Sequence, residues 1–411
     1  MISKTEFEAL PIFITTMSRW DGDVSSASLS LAKVLSKTNA VYYIDYPYSY
    51  ADVWRERNKP SVKKRMKALL FGKNILTNVP DQPINFKGAT PGAVLPIYSM
   101  AAGKLYTICS NYNNKKMATL IKKIARQNHI DNYILLNSFN PLYLSKVNAY
   151  LNPTLSIYHS RDAVEEVKGH ALQKEIECIQ HYDVSMATAK QLCKNMEART
   201  GIKVESFPNG GDVQLFKTAF EQTLPRPKEL VNITTPIIGY TGAVCQRMDY
   251  ELLVKIAKAN TDKTIVMVGP RQDKAFTTID LDAIPNIVFT GAKKITELPA
   301  YLQYFDCAII PFVKNNLTGG IYPLKINEYL AAGQAVVTTN FSEDIAAFKK
   351  DIYLADNHDE FLQMINVAVH NNTIEVKQQR LNAAAGNAWE NRAELFWQIA
   401  YKAYQLKCQT T

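Results

Sequence analysis

The chain has six cysteines in 411 residues, none in C-x-x-C spacing, and six histidines that form no H-E-x-x-H or comparable cluster. Such spacing excludes a zinc module or a disulfide framework and suits a reducing compartment. No uninterrupted apolar run approaches the ~20 residues needed to cross a bilayer. Short-period repeats and low-complexity tracts are also missing. The opening Met1-Ile2-Ser3-Lys4-Thr5-Glu6 lacks the charged-then-apolar pattern of an export signal. The expectation is a soluble, cytoplasmic protein with no metal. What is present is globular: 47% hydrophobic and 21% charged residues, in a chain long enough for two ordinary domains.

Net charge is +9, and part of it is concentrated between Lys59 and Lys73. There Lys63, Lys64, Arg65 and Lys67 alternate with Val62, Met66, Leu69, Leu70 and Phe71 at roughly helical spacing. Two readings stand side by side. The segment can lie on an anionic membrane surface, or it can pack its apolar stripe on the core. No nucleic-acid module accompanies the charge, so no nucleic-acid partner is expected.

Strand-like and helix-like runs alternate along the chain. Strands are predicted at 10–16, 40–45, 133–137, 155–159 and 184–187, with helices at 26–37, 115–128 and 168–181. From Ile237 the alternation restarts with strand, helix (250–259), strand, strand, helix (298–304) and strand. A late helix spans 376–406. This rhythm predicts parallel sheets covered by helices. The proline-bearing stretch 222–228 reads as a linker.

The most informative segment is Leu317-Thr318-Gly319-Gly320-Ile321-Tyr322-Pro323-Leu324-Lys325-Ile326-Asn327-Glu328-Tyr329-Leu330-Ala331-Ala332-Gly333. It reads as a flexible Gly-Gly loop, a proline entering a helix, two helical turns and a glycine stop. Lys325 and Glu328, three apart, share a face near the helix N-terminus. That end carries partial positive charge and unpaired N–H groups, which suits a phosphate. A cation and a carboxylate there fit a nucleotide's diphosphate and its ribose.

This segment resembles the donor signature of GT-B glycosyltransferases, particularly bacterial polysaccharide enzymes of the family 4 type and the related xanthan glucuronosyltransferase. Phe207-Pro208-Asn209-Gly210-Gly211-Asp212 with Phe216 resembles the family's hinge segment. Ile238-Gly239-Tyr240-Thr241-Gly242 resembles the first strand and turn of its donor domain. The runs 265–270, 286–291 and 306–312 follow in the family's order. The resemblance spans roughly 155–395. It implies an α/β GT-B fold, with two Rossmann-like domains whose parallel sheets face a central cleft. The implied acceptor domain is 1–220, the linker 221–232 and the donor domain 233–385, with a helix in 386–411 crossing back.

The implied activity is transfer of a sugar from a nucleotide-sugar, a UDP-sugar by preference, to a lipid-linked glycan in bacterial surface-polysaccharide synthesis. It places the protein at the inner face of the membrane and requires no cofactor. Glu328 takes the ribose and Lys325 the diphosphate. Thr318, Gly319 and Gly320 add backbone donors, Arg247 a second charge, and Gly242 the close turn. The run 291–294 borders the base pocket. Tyr158-His159-Ser160-Arg161-Asp162 resembles the strand end that carries the general base, which makes Asp162 the base, with His159 as its rival and a helix cap as the plain alternative. Trp20 and Asp21, past the first strand, are the candidate acceptor contacts. Asn209 and Asp212 read first as turn residues.

Two departures limit the carry-over. The acidic residue that the family places before the glutamate is Gly320 here, and the basic pair after the Gly242-type turn is reduced to Arg247. A nucleotide-sugar epimerase and a catalytically inactive binding subunit are the alternatives.

Overall fold

The computed structural model describes residues 2–22, 26–80, 82–164, 167 and 170–410. The chain divides into two compact units, Met1–Pro208 with Ala393–Thr411, and Asn209–Arg392.

The first unit is built on eight strands: β1 (Ile12–Thr16), β2 (Val41–Ile44), β3 (Leu76–Asn78), β4 (Phe86–Ala89), β5 (Ile134–Ser138), β6 (Leu155–Ser160), β7 (Val184–Ala187) and β8 (Val204–Ser206). Their order is β3-β4-β2-β1-β5-β6-β7-β8. Every pairing is parallel except β3 with β4. All residues of β1, β5 and β6 are buried, as expected of parallel strands covered on both faces. The strand order reverses around β1, so the carboxyl ends of β1, β5 and β6 lie where such sheets bind ligands.

The second unit holds β9 (Ile237–Thr241), β10 (Thr264–Val268), β11 (Ile287–Gly291), β12 (Cys307–Ile310), β13 (Val336–Thr339) and β14 (Tyr353–Ala355), in the order β11-β10-β9-β12-β13-β14. All of its pairings are parallel.

Several boundaries differ from the sequence reading. The helix expected from 115 spans Lys104–Gln127. Its extra turns carry Asn113 and Asn114, weak helix formers that are buried. Asn113 brackets the Leu95 backbone at 2.8 and 2.9 Å, and Asn114 accepts from the Leu144 N–H at 2.8 Å. Tertiary hydrogen bonding overrides propensity there. The helix expected from 168 begins at Ala171; Lys168 lies outside the described residues.

The chain passes between units at 208/209 and 392/393 rather than through a 221–232 linker. The helix Val213–Glu221 belongs to the second unit because Gln303 of that unit donates to the Ala219 carbonyl and accepts from the Leu224 N–H. The late helix is two helices, Ile374–Ala385 and Trp389–Thr410. They are broken where Gly386 interrupts the helix and the Gly211 and Asn387–Trp389 backbones bond to each other. A Cβ on Gly210 would come within 2.8 Å of Trp389, so this join needs glycine for close approach. From Ala393 the last helix belongs to the first unit, where Tyr404 stacks on Phe7 with ring centroids 4.8 Å apart.

The basic segment forms two short helices, Pro60–Lys63 and Met66–Phe71. Val62 and Leu69 enter a small core with Tyr48, Val53 and Ala93, and Met66 packs against it. Arg65 is buried as well, bonded to Asp45 at 2.8 Å and to both Asp21 oxygens. The core-packing reading therefore holds for this stripe, while Lys63, Lys64, Lys67, Leu70 and Phe71 are exposed.

Candidate active site

In the second unit β9 ends at Thr241 and is followed by Gly242, whose φ of +140° is open to glycine. A Cβ there would overlap the Lys325 side chain. Lys325 is the second residue of the helix Leu324–Ala331, whose cap position, Pro323, supplies no side-chain hydrogen bond. Neither the Leu324 nor the Lys325 N–H meets a protein acceptor among the described residues. The Tyr329 hydroxyl accepts from the Thr241 N–H at 2.8 Å and so pins this helix to the end of β9. The result is an uncapped helix N-terminus over a glycine turn, a natural seat for an anion.

Lys325, Glu328 and Arg247 are partly buried, and none forms an ion pair with a described residue. Burial pushes the Lys325 ammonium below its ordinary pKa. Glu328 opposes that shift, and Arg247 adds to it. Burial pushes the Glu328 carboxyl up against the pull of Lys325, with Asp212 adding to the rise. Two cations held near each other with no bound carboxylate favour an incoming anion.

The preceding loop corrects the sequence reading. Asn316–Gly319 is a short helix, not a flexible loop. The Thr318 N–H bonds to Asn315 Oδ1, Gly319 N–H to the Asn315 carbonyl and Gly320 N–H to the Leu317 carbonyl. None of the three N–H groups is left for a ligand, and the Thr318 hydroxyl donates to the Val313 carbonyl. Lys293, expected near the base pocket, is ion-paired to Glu229 at 2.6 Å. Asp212 caps the helix Val213–Glu221 through the Leu215 N–H, and the Asn209 carbonyl accepts from Arg392 Nε at 3.3 Å. Both residues have the structural work that the turn reading expects.

In the first unit β6 delivers the other constellation. Tyr158 Oη and Ser160 Oγ both donate to buried Glu175 Oε1, at 2.9 and 2.8 Å, which fixes the strand end against the helix Ala171–His181. His159 is only 3% exposed, and neither ring nitrogen makes a hydrogen bond of good geometry. Its ring packs edge-on to Phe207 at 5.1 Å. Burial, reinforced by the Arg161 charge and opposed only by the Phe207 backbone, holds its pKa down at about 3. This imidazole is neutral at physiological pH. Arg161 donates to Ser28 Oγ, which in turn sits 2.7 Å from Ser138 Oγ at the end of β5.

Asp162 lies just past β6, partly exposed, and its charge interacts with Arg161. The helix Ala171–His181 has His170 at its cap position, so Asp162 does not cap that helix.

Trp20 and Asp21 have other partners. Asp21 binds Arg65 and Lys64. Burial raises its pKa, but these two cations outweigh it and bring it to about 2. Lys64 and Arg65 also lie over the Trp20 ring at 4.3 and 4.8 Å, and Gly88 packs against its edge. A carboxylate and an indole so engaged are parts of the structure that holds the Arg65 segment. Arg161, Glu175 and Tyr329 were not singled out from the sequence. Each adjoins a quoted residue or faces one, but their roles depend on contacts between distant segments.

The chain has the GT-B fold, two Rossmann-like units with parallel sheets, and residues 235–371 match the family "Glycosyl transferases group 1". It is similar to bacterial polysaccharide glycosyltransferases. A Bacillus subtilis (strain 168) protein described as "Putative teichuronic acid biosynthesis glycosyltransferase TuaH" is 26% identical over 226 residues, 52% of this chain and 56% of that protein. The match thus spans about half the length of this relative. Among solved structures, sucrose-phosphate synthase from Thermosynechococcus elongatus superposes with a TM-score of 0.65 at 13% identity, over 97% of this chain and 100% of that one. The E. coli trehalose-6-phosphate protein bound with UDP-2-fluoro glucose gives 0.66 at 11% identity, over 96% and 99%.

Proposed function

We propose that the protein is a glycosyltransferase that moves a sugar from a UDP-sugar to a lipid-linked glycan at the inner face of a bacterial membrane, in surface-polysaccharide synthesis. The observation that carries this reading is the anion seat of the second unit: Lys325 across Gly242, at an uncapped helix N-terminus, with Glu328 one turn on. The teichuronic-acid relative supports a polysaccharide acceptor, and the neighbour bound with UDP-2-fluoro glucose supports a UDP-sugar donor.

In this reading Glu328 accepts from the ribose hydroxyls. Lys325 and the first N–H groups of its helix hold the diphosphate, and Arg247 adds charge. In the first unit Asp162 takes the acceptor hydroxyl proton as the oxygen bonds to the anomeric carbon. The bond from that carbon to the diphosphate breaks, and the leaving charge falls to Lys325 and Arg247. Asp162 is preferred to His159 because it is partly exposed whereas the imidazole is shut in the core.

The direct test is incubation with labelled UDP-sugars and membrane-lipid extracts. Transfer to lipid is expected. Interconversion of the nucleotide-sugar, or binding without transfer, would overturn the reading. Because protein cations carry the leaving charge here, turnover should survive excess chelator, and its loss on adding EDTA would refute that assignment.

The pKa shifts predict a narrowed binding window. UDP binding needs Lys325 charged and Glu328 ionised. Lys325 titrates below an ordinary lysine, so affinity falls early as pH rises. Glu328 titrates above an ordinary glutamate, so affinity also falls early as pH drops. Calorimetry across pH checks this. Glu328→Gln should flatten the acid limb beyond the nucleotide's own phosphate titration, and an unchanged limb would count against the role.

A further inference from the structure

We propose that the first unit docks on anionic lipid through an outer surface formed by the helices Tyr50–Glu56 and Met66–Phe71 together with the exposed face of the helix Lys104–Gln127. Four large apolar side chains stand out on it: Trp54 and Phe71 are each 71% exposed, Leu105 64% and Ile108 65%. Single exposed apolar residues are ordinary on a protein surface; several on adjoining elements are not.

The elements are joined by contacts on the page. Tyr50 and Tyr112 meet through their hydroxyls at 3.5 Å, and Lys116 Nζ donates to Tyr50 Oη at 2.9 Å. Lys123 Nζ donates to the Gly72 carbonyl at 2.7 Å, beside Phe71. At 3.6 residues per turn Leu105, Ile108, Tyr112, Lys115, Lys122 and Lys123 fall within roughly 120° of one another. That helix therefore presents one face, apolar at its start and cationic toward its end.

Charge decides the occupant. Residues 50–73 carry eight basic and two acidic side chains, and the helix Lys104–Gln127 carries six basic and no acidic ones. A second copy of the same surface would set like charges against each other. An anionic bilayer complements the cations and receives Trp and Tyr at its headgroup level.

The placement also fits the acceptor. The Met100 carbonyl, just ahead of the helix, accepts from His170 Nε2 at 3.0 Å. The Tyr106 and His170 rings are 4.1 Å apart. Leu105 and Ile108 thus stand at the edge of the unit that carries Asp162. That last step rests on the proposed lipid-linked acceptor, whereas binding to lipid does not.

The test uses the full chain and vesicles of phosphatidylcholine, with or without three-tenths phosphatidylglycerol, and no donor or acceptor. Co-sedimentation with the anionic vesicles is expected, together with a blue shift of tryptophan emission that Trp54→Phe removes. Each lysine near such a surface is worth about fivefold. Lys63, Lys67, Lys115 and Lys122 changed together to Ser should therefore weaken binding on the order of a hundred- to thousandfold. Leu105→Ser with Ile108→Ser should weaken it at least tenfold. All six side chains are exposed and make no ion pair with a described residue, so melting temperatures should hold. Equal binding to neutral vesicles, or undiminished binding by both variants, would overturn the surface. Monomerisation of a dimer by Leu105→Ser/Ile108→Ser without any vesicle binding would assign it to a second copy instead. Transfer to a soluble short acceptor should persist in the variants; its absence in the wild type as well would count against the glycosyltransferase reading and leave the lipid result standing.

Discussion

Asp162→Asn is expected to lower turnover by ~10²–10⁴-fold, the range for loss of a positioned general base, with UDP affinity and melting temperature close to wild type. Asparagine keeps the shape and removes the proton acceptor. Asp162 is nine residues short of the helix that begins at Ala171, so no cap of that helix is lost. Its interaction with Arg161 is electrostatic, so the substitution leaves that guanidinium with one fewer opposing charge. Arg161 keeps its hydroxyl partner Ser28. Steady-state rates with saturating UDP-sugar, alongside UDP calorimetry and thermal melts, check the prediction. Turnover within a few fold of wild type would remove Asp162 from the chemistry.

Glu175 offers a contrasting control. It binds Tyr158 and Ser160 from below, and its loss would strand two buried hydroxyls. Glu175→Ala should therefore lower the melting temperature together with activity, as expected of a carboxylate that is part of the fold.

The sequence was legible where periodicity and local chemistry coincide. β7, the helix Tyr250–Ala259 and the Leu324–Ala331 helix fall where pattern and caps put them. Buried parallel strands announce themselves as apolar runs, and the signature's proline and glycine bracket its helix. That Lys325 and Glu328 share one helix is readable because the signature's own proline and glycine bound that helix.

What could not be read depended on distant partners. Nothing local says that Asn113 and Asn114 extend a helix, because their bonds reach Leu95 and Leu144. Asp21 looked like a free carboxylate beside a strand end until Arg65, forty-four residues on, was seen to hold it. Gly319 and Gly320 suggested open backbone donors, but Asn315 and Leu317 already accept those hydrogens. In each case a short-range pattern named the residue type correctly and left its partner undetermined.

Glu328→Ala should weaken UDP roughly ten- to a hundredfold, since a charge-assisted hydrogen bond to a ribose hydroxyl is worth about 1.5–3 kcal/mol. Stability should move the other way. Burial raises the Glu328 pKa above its unfolded value, so the folded chain holds the proton more tightly than the unfolded one. Its ionised form then costs stability, and that cost grows as pH rises from the unfolded pKa to the folded one and persists above it. Replacing it at neutral pH removes that cost, and the variant should melt no lower than wild type. Lys325→Ala should weaken UDP more than uridine, because the proposed donor seat sets its ammonium against the phosphates and not the nucleoside. It should also push the remaining Glu328 carboxyl further up, since Lys325 is the charge that holds it down. Calorimetry with UDP and uridine on both variants, paired with melts at neutral pH, reads all of these outcomes. Equal losses for UDP and uridine in Lys325→Ala would turn the lysine away from the phosphates. Unchanged affinity in Glu328→Ala would move the ribose elsewhere, and a sharp drop in melting temperature would show the carboxylate to be part of the fold.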